Sequence, residues 1–139
     1  MINLDDLARK VSTIPHGPGI SNPADLSLYL QWEVLTGFKL MKAGDTSPHR
    51  WLTSYAVYIL RYCVKEGIQI EYTYLQGLPK DLTVPSSVEA LAQLSWAASA
   101  IWAHHETCPT FYAALALRYA EIFAKSVNFD LWDAVAAHK

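Results

Sequence analysis

Residues 86–127 read SSVEALAQLSWAASAIWAHHETCPTFYAALALRYAEIFAKSV, and this stretch decides the fold class. Ser86 and Glu89 have capping-box spacing, in which a hydroxyl and a carboxylate three residues apart close the free N–H groups of a helix start. Most later positions are apolar, from Val88 through Leu94, Trp96 and Ile101 to Ala103. The one arc that could face water holds Ser86, Glu89, Gln93, Ala97, Ala100 and His104. The spacing therefore predicts a helix to about residue 106 that forms the centre of a bundle. Cys108-Pro109 starts a second helix, because proline at a first helical position loses no hydrogen bond. Tyr112, Leu115, Tyr119, Ile122 and Phe123 give that helix its core stripe, and Ala114, Arg118, Glu121 and Lys125 its wet face.

The flanks repeat this logic. Asn3 or Asp5 caps a short helix to Thr13, with Leu4, Leu7, Ala8 and Val11 on one side. Residues 14–23 hold three prolines and two glycines and read as a loop. Asn22-Pro23 starts a helix over 23–43 that is apolar on most sides and stops at Gly44. Ser47-Pro48 starts another over 48–66, ending before Gly67. From Ile68 to Leu75 apolar and polar residues alternate, which is a strand pattern. A lone strand leaves its backbone unpaired, so this segment must find a partner strand or be helical after all. Asn128 offers a cap for a last helix over 129–137. The expectation is a single-domain, all-α bundle of five or six helices built on 23–43, 48–66, 86–106 and 109–127. A short β element near 68–75 is the open alternative.

Composition narrows the function classes. The 139 residues can bury a core without metals or disulfides. Charged residues make up 17% of the chain, below the usual ~25%, while five Trp, eight Tyr and four Phe are present. A lone globule with so few charges leaves aromatic surface uncovered, and such surface marks an interface. The net charge of −2 disfavours nucleic acid as a partner. The start of the sequence is not a signal peptide, no apolar run suggests a membrane span, and the two cysteines have no metal spacing. Reduced thiols and a cytoplasmic location are expected.

Candidate sites follow from spacing. His104, His105 and Cys108 cluster at the turn between the two helices. Adjacent histidines diverge by about 100° on a helix and cannot share one ion, so no metal is assigned and no cofactor is implied. Cys108 just before a helix start sits at the positive end of a dipole, which favours thiolate, and His104 or His105 could serve as its base. Arg50, Tyr58, Arg61 and Lys65 share a helix face with Ser54, at spacings of three and four, and form the one basic stripe, a candidate contact for a partner or for phosphates. Trp32 and Trp132 are candidate interface aromatics. The leading expectation is a non-enzymatic protein–protein interaction module, a small regulator, inhibitor or assembly subunit that forms a homodimer. The rival is a helical enzyme or ligand-binding protein with its site at His104, His105 and Cys108. Weaker still is phosphate or nucleic-acid contact through Arg50, Arg61 and Lys65.

Overall fold

A computed structural model describes residues 2–14, 20, 22–45, 47–83 and 86–138. These residues form seven helices: α1 (Leu4–Ser12), α2 (Pro23–Lys42), α3 (His49–Lys65), α4 (Glu71–Gln76), α5 (Ser87–Ala103), α6 (Pro109–Ser126) and α7 (Leu131–Ala136). The protein is all-helical, as its periodicity requires.

The helix starts expected at Asn3, Asn22 and Ser86 are present. Asn3 Oδ1 accepts Asp6 N–H at 3.0 Å, Asn22 Oδ1 accepts Asp25 N–H at 2.9 Å, and Ser86 Oγ accepts Glu89 N–H at 3.2 Å. Three helices end the same way, on a residue with positive φ. Gly44 (φ 88°) closes α2, with Asp45 N–H donating to Leu40 O at 2.9 Å. Gly67 (φ 69°) closes α3, with Ile68 N–H on Cys63 O at 2.7 Å. Asn128 (φ 56°) closes α6, with Phe129 N–H on Ala124 O at 2.8 Å. Asn128 is thus a terminator, and Asp130 caps α7 instead through Asp133 N–H at 3.0 Å. Nor does Ser47 cap α3, whose cap position is Pro48 with no side-chain bond. The expected loop falls largely on residues 15–19 and 21, which lie outside the described residues.

The 68–75 segment is the first correction. It contains α4, and among the described residues there is no strand. Its buried residues Ile70 and Tyr74, with Leu78 just beyond it, are four apart, which is the helical period. The alternation misled because Tyr72 stands in water while Tyr74 docks on α6. There the Arg118 guanidinium lies 4.1 Å from the Tyr74 ring centre, and Trp132 meets the same ring edge-on at 5.9 Å. Reciprocal bonds fix the start of α4 to the start of α1: Asp5 accepts Ile70 N–H at 2.8 Å, and Glu71 accepts Leu4 N–H.

The centre is the second correction. It is α3, not α5. From Trp51 to Leu60 every residue of α3 except Ser54 is buried. Helices α1, α2, α6 and α7 pack around it, and α5 lies outside, against α2 and α6. The arc of α5 expected to be wet is only partly so: Ser86 and Glu89 are exposed and Gln93 and His104 half-buried, while Ala97 and Ala100 are buried. Likewise Ala114, expected on the wet face of α6, is buried. An alanine-rich arc is what close helix–helix contact selects, because a methyl group allows short interaxial distances. Tyr55, wholly buried in α3, donates its hydroxyl to Leu94 O of α5 at 2.7 Å, and burial pushes its pKa well above the ordinary tyrosine range.

Gly37 of α2 lies against the indole of Trp51, and a Cβ there would come within 2.6 Å of the ring. Gly37→Ala should therefore destabilise the fold by about 1–2 kcal/mol in urea unfolding, the ring clash outweighing the gain of about 1 kcal/mol in helix propensity. Tyr55→Phe should cost about 1 kcal/mol, because it removes a buried hydrogen bond between α3 and α5.

Candidate protein-interaction surface

The surface that departs most from ordinary protein exterior is built by α2 and α5. The core side of α2 is Leu26, Leu30, Val34 and Gly37. At about 100° per residue, Leu28, Trp32 and Leu35 fall on the far side of that helix and Phe38 on its flank, and all four are exposed. On α5 the core side is Ala90, Leu94, Ala97 and Ile101, and the exposed arc carries Val88, Ala92, Ser99, Trp102 and Ala103, with Trp96 toward α6. Leu28 keeps 69% of its surface in water, Trp32 64% and Trp102 52%.

The two arcs are joined. Leu35 and Phe38 of α2 line one open groove with Val88 and Ala92 of α5. Gln31 locks the helices side by side, its amide donating to Ser95 O at 2.8 Å and to Ser99 Oγ at 2.9 Å while its carbonyl accepts the Ser95 hydroxyl. Rising numbers on α2 meet falling numbers on α5, so the pair is antiparallel. A paired amide–hydroxyl network of this kind fixes register without adding charge.

Charge is missing from this face. No Asp, Glu, Lys or Arg occurs from Ala90 to His105. In residues 26–38 the one charged side chain is Glu33, which turns toward α3. There it pairs with the Ser54 hydroxyl, and burial raises its carboxyl pKa against the lowering effect of that bond. Charges stand only at the rim: Asp25 at the start of α2, Lys39 and Lys42 at its end, and Glu89 at the start of α5. Lys42 reaches over the Phe38 ring, 5.8 Å from its centre.

The sequence-derived candidates are spread over the molecule. Trp32 sits in the middle of this face. Trp132 is half-buried on the other side, where its indole N–H donates to Glu121 at 2.6 Å. The basic stripe is not a free strip. Tyr58 is buried and stacked on Tyr29 at 5.6 Å, and Lys65 donates to Ile20 O at 2.6 Å. Arg61 is half-buried, while Arg50 stands exposed near the start of α3. At the other end, the His104 ring stacks on Tyr112 at 4.4 Å. His105 Nδ1 lies 2.7 Å from Trp102 O. Cys108 is exposed, caps nothing with its side chain, and has no hydrogen bond to either imidazole among the described residues. No group of three or more His, Cys, Asp or Glu among the described residues could hold a metal ion. No described helix is long and apolar enough to cross a membrane.

Sequence reasoning chose Trp32 but missed Leu28, Leu35, Phe38, Val88 and Trp102. The signal was present as two helices with more apolar arc than a core needs, but only the packing shows which part of each arc is surplus. No protein-family model, curated protein or solved structure matches the chain.

The two thiols differ in access. Cys63 is fully buried in α3, and burial pushes its pKa up to about 12. Ellman titration of native protein at pH 7–8 should therefore release one equivalent, from Cys108. The second equivalent should appear only in denaturant.

Proposed function

We propose that this chain is a non-enzymatic protein-interaction module, a regulator, inhibitor or assembly subunit that works as a homodimer through the outer face of α2 and α5. The observation that carries the reading is the area of that face. Its exposed Leu, Val, Phe and Trp side chains offer on the order of 700 Å² of apolar surface, taking about 150–250 Å² per aromatic residue and its exposed fraction. The largest patch on an ordinary monomer is about 300–600 Å². One partner's share of a standard interface is about 800 Å².

A second copy fits the rim charges. In a two-fold dimer the same patch meets itself. If α2 runs antiparallel to its symmetry mate, the Lys39–Lys42 end of each copy faces the Asp25 end of the other, and the helix dipoles oppose favourably. Trp32 near the middle is then the central anchor, the place where interfaces concentrate their binding energy. The exposed, free Cys108 suits the reducing cytoplasm expected from the sequence.

Native mass spectrometry and light scattering at ~10–100 μM should report a dimer. Trp32→Glu and Trp102→Glu should each weaken association by at least about thirtyfold, the effect of losing a hot spot of about 2 kcal/mol. Both positions are exposed, so far-UV circular dichroism should stay unchanged. A wild-type chain that remains monomeric at 100 μM would refute the homodimer.

A further inference from the structure

A second surface lies on a different part of the molecule. An open groove of about 340 Å³ runs between α4 and the start of α7, where Leu75 and Trp132 meet the carboxylates of Glu71, Asp130 and Asp133. We propose that this groove docks a basic segment of a partner protein, in which a lysine or arginine stands next to an apolar side chain.

The groove is short of cations. Arg118 and Glu121 also line it, 3.9 Å apart, and Lys125 lies 3.8 Å from the same Glu121 carboxylate, so these three charges answer one another. The Arg118 guanidinium is committed besides to the Tyr74 ring and to Tyr74 O at 2.5 Å. Glu71, Asp130 and Asp133 make no ion pair among the described residues. Glu71 accepts Leu4 N–H and Asp130 accepts Asp133 N–H, bonds that leave the carboxylate charge uncancelled. Asp130 stands close enough that a hydrogen bond to it, and its charge, raise the Asp133 carboxyl above the ordinary carboxylate range. A cation entering the groove relieves that repulsion.

The apolar half of the groove selects the kind of cation. Leu75 and Ile2, both exposed, line it beside the half-buried Trp132, and Tyr72 shares the exposed arc of α4 with Leu75, three residues away. Lysine and arginine are divided in the same way: the stem lies along apolar surface while the charged head stays with acids and water. A polyamine would cover the carboxylates and leave Ile2, Tyr72 and Leu75 in water, whereas a peptide brings an apolar neighbour to them. The volume is at the lower end of ligand sites, about 300–1,000 Å³, so it takes one or two side chains of a segment and not a folded surface. Trp132, an interface aromatic by its sequence, belongs to this groove and not to the α2–α5 face.

A phage library of random dodecapeptides, panned on the full chain, tests the proposal. The library is first depleted on a triple variant, Leu75→Ser with Asp130→Asn and Asp133→Asn, so that only clones needing the groove remain. Asparagine at 130 keeps the cap of α7, and circular dichroism should show the variant folded. The recovered clones should carry Lys or Arg beside Leu, Ile, Met or an aromatic residue more often than the input library does. Their synthetic peptides should bind the wild type in calorimetric titration with a Kd of about 100 μM or better. Asp130→Asn with Asp133→Asn should weaken that binding about fivefold, the worth of two exposed ion pairs. Leu75→Ser should weaken it several-fold, and added sodium chloride should weaken it steadily. Trp32→Glu should bind the peptides as the wild type does, which separates this groove from the dimer face. Recovery of no clone that prefers the wild type, or of clones without basic enrichment, would overturn the proposal. So would spermine that binds at the groove as tightly as the peptides.

Discussion

Burial of α3 along ten consecutive residues, Trp51 to Leu60 with only Ser54 half-exposed, is the constraint on which the rest depends. A helix apolar on all sides has to be enclosed on all sides. Four other helices provide that enclosure, and the short ones exist for it. Helix α1 buries Leu4, Leu7, Ala8 and Val11, and α7 buries Leu131 and Val135. Neither is long enough to persist alone. They are held by tertiary bonds, among them Lys10 to Ala136 O and the exchange of Asp5 and Glu71 with the α1 and α4 backbones.

Enclosing α3 also determines where function can lie. Helix α5 gives Leu94 and Ile101 to the core but has no long contact with α3. It lies over α2 and α6. The Tyr55 hydroxyl reaches it from the core and gives the layer one fixed contact. Because α5 has neighbours on one side only, its apolar residues on the other side have nothing to bury them, and α2 shares that condition. The Gln31–Ser95–Ser99 network then keeps the two exposed arcs in one plane. A face with its charges pushed to the rim is the consequence, and it is the basis of the interaction proposed for it.

The groove between α4 and α7 has a separate origin. Both helices are short and are fixed at their starts by carboxylates, α4 through Glu71 on the α1 backbone and α7 through its Asp130 cap. Fixing them in this way puts negative charge on both rims, and the outer side of α4 leaves Leu75 between them. Arg50 drew notice in the sequence as part of a stripe of four. Packing separates the stripe, since Tyr58 goes into the core and Lys65 to the Ile20 carbonyl, while Arg50 stays exposed.

Much of the fold was legible because its signals are local. Asn3, Asn22 and Ser86 accept N–H groups three residues away, and Gly44 and Gly67 relieve a strained φ at their own positions, so a short window contains the whole cause. The left-handed role of Asn128 was harder to read, because asparagine serves equally as cap and terminator. The Ile68–Leu75 alternation needed the partner: whether Tyr72 or Tyr74 is inside depends on Arg118 and Trp132, over 40 residues away. The same holds for the candidate surface. Sequence by itself determined that the protein is helical, where most helices begin and end, and that its composition is rich in aromatic and poor in charged residues. Tertiary structure alone decided that α3 is the centre and which arc of α2 and α5 is left over. A helix periodicity defines an apolar face, but only the neighbours that cover it define an interior.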